Sequence, residues 1–174
     1  MWNFFETVRH RHSVRSYQKD IPVEKEKLHA ILETASSAPS AGDLQAYKII
    51  VVSNPEKRQA LSAAADGQRF IADAPVCLVF CADTERSAEK FGERGRKLYA
   101  LQDTTIAASY AQLAVVAAGM ASTWVGYFDE AKVKEIVDCE QTLCPVAMLS
   151  LGYPAELPEP TARRKLDDII SHLD

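Results

Sequence analysis

Apolar and polar positions recur along the chain with periods that change from segment to segment, and those periods predict its elements. Over residues 2–12, Trp2, Phe5 and Val8 fall at helical spacing and predict a short amphipathic helix. A second helix begins after Pro22, opens with Glu24 and Glu26, and carries Leu28, Ile31, Leu32 and Ala35 on one face. It gives way to a loop of small residues, Ser36-Ser37-Ala38-Pro39-Ser40-Ala41-Gly42-Asp43. The β-branched apolar run 47–52 predicts a buried strand, Asn54-Pro55 breaks it, and 56–65 returns to helix. Pro75 introduces a second buried strand over 76–82, and the charged stretch 84–97 predicts an exposed helix.

The longest apolar element spans 98–121. Ile106, Tyr110, Leu113, Ala117 and Met120 mark a stripe on it, and alanines occupy much of the remaining surface. A helix apolar on most sides needs protein around it, either the body of its own chain or a second subunit as well. A strand over 122–128, a helix over 131–137 and a last strand over 146–151 follow. Pro154, Pro158 and Pro160 remove amide donors, so the chain leaves the sheet as an extended arm from about residue 153, with a short helix over about 166–173. Helices first, then strands separated by helices, give an α+β class.

At 174 residues the chain has the length of one domain, residues 1–174, with a sizeable core. Its longest apolar run is interrupted by Ser109, Tyr110 and Gln112, and residues 1–20 lack a signal-peptide pattern, so a cytoplasmic protein is expected. The net charge of −4 argues against general nucleic-acid affinity. Two basic clusters stand out on that acidic background: Arg9, His10, Arg11, His12 and Arg15, and Arg163, Arg164 and Lys165. They suit one anionic ligand, or simply solvate helix ends. Cys77 and Cys81 read as core, while Cys139 and Cys144 flank a turn; no close pair marks a metal site, and a disulfide is not expected in the cytoplasm.

Several chemistries are absent from the sequence. There is no GxxxxGK phosphate loop, no GxGxxG turn and no GxSxG elbow. His10 and His12, two apart, fall on different faces of a helix. With no acid, base or nucleophile set in view, the hard chemistry points to a cofactor. Arg11-His12-Ser13-Val14-Arg15 offers two guanidiniums and a hydroxyl, and guanidinium matches phosphate with parallel charge-assisted hydrogen bonds. The loop 38–42 carries no bulky side chain, so a flat ring could lie against it, and Trp124-Val125-Gly126-Tyr127-Phe128 sets a second glycine among large apolar residues.

Together and in this order these segments resemble the nitroreductase family of flavoproteins. The resemblance covers nearly the whole chain and rests on RHSVRSY (Arg11 to Tyr17), SAPSAGDLQAYKIIVV (Ser37 to Val52), the alanine-rich helix from about Gln102 to Met120, TWVGYF (Thr123 to Phe128), and VAMLSLGYP (Val146 to Pro154) with Arg163-Arg164. It implies a mixed, mainly antiparallel sheet flanked by helices, and a homodimer with FMN at the interface beside the long helix. Arg11, His12 and Ser13 would hold the phosphate and ribityl tail, helped by Arg163 or Arg164. Arg15 would lie near N1 and O2 of the ring, and Val125 and Gly126 would bring backbone amides near N5. Pro39, Ser40 and Ala41 would come from the partner subunit and cover one flavin face, with Asp43 and Gln45 in the same loop.

The chain departs from the family pattern at three places. Asp43 stands where asparagine is common, Ala46-Tyr47 replaces a common Pro-Trp, and Lys165 falls where proline is frequent, which leaves Arg163 and Arg164 as alternatives. Little sequence is available for a substrate lid. The activity implied is ping-pong transfer of electrons from NADH or NADPH to a nitroaromatic, quinone or similar small acceptor, with no metal. A flavin-binding protein of the same fold that serves storage or sensing is the alternative.

Overall fold

Strand β2 (Val76–Asp83) is buried from Val76 to Ala82 because helices cover both faces of the sheet it runs through. The computed structural model describes residues 2–173. Its other strands are β1 (Tyr47–Val52), β3 (Ala121–Val125) and β4 (Leu143–Gly152). They pair in the order β1-β2-β4-β3, antiparallel throughout. The parallel component of the expected mixed sheet is a single bridge, Ser13 to Ser122. The helices are α1 (Phe4–His10), α2 (Lys25–Ser36), α3 (Pro55–Ala64), α4 (Phe70–Asp73), α5 (Thr84–Arg94), α6 (Ala100–Ala117) and α7 (Glu130–Ile136). A π-helical segment, Gly95–Tyr99, joins α5 to α6.

Alternation along β2 divides the core in two. Cys77, Val79 and Cys81 face a cluster containing Leu61, Ile71, Val133 and Met148, which packs α3, α4 and α7 on one side of the sheet. Val76, Leu78 and Phe80 face Ile31, Ala35, Ala108, Ala111, Val115, Leu149 and Leu151, which packs α2 and α6 on the other. Local signals agree with the packing. Asn3 and Glu6 form a reciprocal capping box at the start of α1, and Asn54 caps α3 ahead of Pro55.

Five expectations change. Strand β1 is an edge strand, and only Val52 in it is buried. Its partner on the other side is solvent, which an apolar run cannot reveal. The stripe read on α6 is mostly the uncovered side: Tyr110 and Ala117 are exposed, while Ala107, Ala108, Ala111, Val115 and Val116 are buried. In α1 the apolar face is open, with Phe5 71% exposed and Thr7 the buried residue. Strand β3 stops at Val125, so Gly126 to Phe128 lie beyond the ladder. The helix expected near the end of the arm is only a 3-10 turn, Leu166–Asp168, on an arm that is exposed throughout residues 155–173. No helix among the described residues is long and apolar enough to cross a membrane.

Leu149 is fully buried between β2 and α6. Leu149→Ala should lower stability by about 2–5 kcal/mol in urea unfolding at fixed protein concentration. A loss below about 1 kcal/mol would place the load of this core layer elsewhere.

Candidate functional site

The first group of candidate residues lies along the sheet edge at β3. Arg11 is the C-cap of α1, where its N–H donates to Thr7 O at 3.1 Å. The chain then runs beside β3: the Val14 N–H donates to Ser122 O at 3.2 Å, and Thr123 Oγ1 donates to Val14 O. Val14 is buried, while Arg11, His12 and Ser13 are half-buried and Arg15 is exposed, its guanidinium 5.7 Å from the centre of the Phe70 ring. Because Val125 closes β3 and Gly126 follows it, this pairing brings residues 11–15 and 125–126 to the same region. His12 and Val14 share a cavity of about 320 Å³ with Val116, Gly119 and Met120, at the C-terminal end of α6.

Tyr17 anchors that segment. Its ring is buried, and its hydroxyl donates to Ser150 O at 3.0 Å and lies 3.0 Å from Ser150 Oγ. Burial pushes the phenol up to about 12, against smaller opposing contributions from Ser150, Thr123 and Arg15.

The second group sits at the other end of α6. Gly42, Asp43 and Gln45 all have positive φ, at 57°, 57° and 48°. Such backbone is costly outside glycine, and a short polar side chain tolerates it best, so asparagine and aspartate are interchangeable at position 43 on backbone grounds. Four side chains hold the loop, one from α6, two from α5 and one of its own. Asp103, buried in the first turn of α6, accepts from the Ala41 N–H at 2.9 Å, and the Gln45 amide donates to Ser36 O at 2.7 Å. Arg86 donates to Leu44 O at 2.7 Å and Lys90 to Gly42 O at 3.3 Å, both from α5. Pro39, Ser40 and Ala41 line an open cavity of about 620 Å³ with Tyr99, Gln102, Asp103 and Ile106.

The two groups do not meet within one chain. Thirteen residues of helix separate Asp103 from Val116, about 20 Å at 1.5 Å per residue. The start of the arm runs beside the first group, with Leu157, Pro158 and Pro160 lining the cavity that His12 and Val14 share, while Arg163 and Arg164 further along are exposed and Arg164 donates to Asp168 O within the arm itself. Sequence reading missed Asp103, Arg86, Lys90, Tyr17 and Phe70. Asp103 carried a usable signal, a lone acid inside an otherwise apolar stretch.

The donor set fits an anionic, ring-bearing group. Among the described residues Arg11, Arg15, Arg163 and Arg164 have no carboxylate partner, whereas Lys19, Lys48 and Arg96 pair with Asp73, Glu140 and Glu85. No group of three or more metal-binding side chains occurs among them.

A family model described as "Nitroreductase family" matches residues 8–68 and 64–153. A protein of Thermus thermophilus named "NADH dehydrogenase" is 34% identical, across 92% of this chain and 91% of that protein. One of Bacillus subtilis named "FMN reductase (NADPH)" is 28% identical, across 90% of this chain and 68% of its own length. The solved NADPH:FMN oxidoreductase of Vibrio harveyi, complexed with NAD+, superposes with a TM-score of 0.88 at 25% identity, covering 98% of this chain and 76% of that one.

A folded-state phenol held up to about 12 keeps its proton where the unfolded chain, near 10, has lost it. The contribution of Tyr17 to stability should therefore be intact below about pH 10 and fade as pH rises toward about 12. Tyr17→Phe should remove that alkaline loss, seen in unfolding midpoints across the range. A variant with an unchanged alkaline profile would assign the loss to other groups.

Proposed function

The chain belongs to the nitroreductase family, and on that footing we propose that it is an FMN-dependent oxidoreductase, passing electrons from NADH or NADPH to a small acceptor as a homodimer with sites shared between subunits. FMN, when bound, supplies the two-electron exchange between nicotinamide and acceptor. The side chains of this protein hold, orient and shield it.

One observation carries the shared site. Its two halves lie at opposite ends of α6, and between them Tyr110, Leu113, Ala114 and Ala117 form an open apolar groove with Trp2 and Phe4. Tyr110 falls near the midpoint between Asp103 and Val116. A two-fold copy laying its own α6 antiparallel across this groove sets each loop 38–45 beside the other subunit's arginines. The arm adds to the case, because Leu157, Leu166 and Ile169 on it are apolar and more than half exposed.

In such a site Arg11 and Ser13 hold the phosphate and the ribityl tail, His12 lines the adjoining cavity, and Arg163 or Arg164 closes over the phosphate from the arm. Arg15 would supply a guanidinium beside the ring, and a cation there favours the more negative, reduced form. The backbone at Val125 and Gly126 borders the ring. The partner subunit's Pro39, Ser40 and Ala41 cover its other face and exclude water, in a loop shaped by Asp43 and Gln45. No side-chain nucleophile takes part.

The purified protein should be yellow, release FMN and not FAD on denaturation, and lose its visible band anaerobically with NADH or NADPH. Failure to take up FMN would refute the proposal, and a persistent band with both donors would favour storage or sensing. Arg11→Ala should weaken FMN binding by about 1.5–3 kcal/mol with the fold intact, since Arg11 lies outside the core. Unchanged affinity in a flavin titration would move the phosphate away from Arg11.

A further inference from the structure

Three of the four cysteines gather on the far side of the sheet from α6 and outside the candidate site. Cys81 lies near the end of β2, where the register with β4 shifts between Phe80 and Cys81. Cys139 follows α7, and Cys144 stands near the start of β4. The Cys139 thiol points at the Cys81 sulfur across 3.7 Å. Cys81 is fully buried, whereas Cys139 and Cys144 are partly exposed.

The surroundings of Cys139 allow both access and movement. It sits in a turn, with Asp138 at a φ of 53° and its own N–H donating to Lys134 O at 2.9 Å. A cavity of about 660 Å³ opens beside it, lined by Glu130, Lys134, Asp138, Cys139 and Gln141. A small solute reaches the outer sulfur there, and the inner sulfur waits directly behind it. A disulfide of about 2.05 Å requires the two sulfurs to close by about 1.7 Å, within the play of a side chain on a turn.

We propose that Cys139 and Cys81 are an oxidation site, joined as a disulfide by hydrogen peroxide. The Cys139 thiolate attacks one peroxide oxygen, the O–O bond breaks, and the hydroxide released becomes water on taking a proton. Cys139 is then a sulfenic acid. The Cys81 sulfur displaces its hydroxyl, the S–S bond forms, and a second water leaves with the Cys81 proton. Two thiols are oxidised and one peroxide is reduced to two waters.

Charged groups around the pair set the pace of the second step. Burial pushes the Cys81 thiol well above its ordinary range, and the neighbouring Cys139 and Cys144 add to that while Lys134 opposes it. Lys48, the register partner of Cys81 on β1, is tied to Glu140 at 2.8 Å. Cys144 is raised by its own burial and by Glu130, again against Lys134. Closure therefore quickens as pH rises. The disulfide would bolt β2 to the turn between α7 and β4.

The test uses the flavin-loaded protein, treated with a small excess of hydrogen peroxide, quenched, unfolded, alkylated with iodoacetamide and weighed. Two of the four cysteines should escape alkylation, one cross-linked peptide should join Cys81 to Cys139, and dithiothreitol should restore all four. The rate should climb from about pH 7 to about pH 9. Cys144→Ser should leave the cross-link in place, while Cys139→Ser and the core-compatible Cys81→Ala should each abolish it. Four cysteines that all stay alkylatable, or a cross-link that runs through Cys144, would overturn the proposal.

Discussion

Helix α6 turns only a narrow polar stripe to water, Gln102, Thr105, Ser109 and Gln112, and the sheet covers only one of its apolar sides. Ala108, Ala111 and Val115 rest on Leu78, Phe80 and Leu149, and their small side chains bring the helix close to the strands. Away from the strands Tyr110, Leu113, Ala114 and Ala117 continue the apolar surface, joined by Trp2 ahead of α1, Phe4 in it and Ala30 of α2. An apolar face of this kind marks an interaction surface in a soluble protein. The same helix spaces the two halves of the site, so whatever covers its open face also decides whether those halves meet. Assembly and cofactor binding thus depend on one constraint.

The loop at residues 38–45 shows how the site is prepared before any ligand arrives. Positive φ at Asp43 and Gln45 costs of order 1–3 kcal/mol each and persists only where the surroundings enforce it. Asp103, Ser36, Arg86 and Lys90 supply that enforcement. A side chain added at Gly42 would meet Lys90 Nζ at 2.7 Å and Phe91 Cζ at 2.9 Å, so α5 seals the loop from behind. The strain is spent on presenting a flat, side-chain-poor surface in one fixed shape. At the other end, Tyr17 does the equivalent for residues 11–15 by fastening them to β4.

Much of the fold was legible because the local signals agree with the packing. Strand β1 begins and ends where its β-branched run predicts, and Asn54-Pro55 marks the start of α3 as cap and first residue. What stayed hidden depends on neighbours. An apolar run shows that a strand is covered, but edge and centre differ only in who pairs with it, and β1 proved an edge. On α6 the pattern could not distinguish the side facing the sheet from the open side, because both are apolar. The turn at Leu166–Asp168 failed to extend into a helix because nothing in the chain packs against its apolar residues, and short helices need such packing. The basic segment 11–15 was visible as chemistry, yet the residues that position it, Tyr17 and Thr123, stood in the sequence only as members of motifs, with no role attached. The division of the site between the two ends of α6 is a matter of distance, which no motif records.

The shared site is tested most directly by subunit mixing. Arg11→Glu disables the arginine half, and Ala41→Trp fills the loop half with a ring; each variant alone should lack flavin-dependent turnover. In a mixed dimer one site keeps the intact arginines of one subunit and the intact loop of the other. Randomly paired subunits should therefore recover about a quarter of the unaltered rate, since half the dimers are mixed and each holds one good site of two. A mixture no more active than its parents would mean that each chain builds its site alone, and would contradict this account.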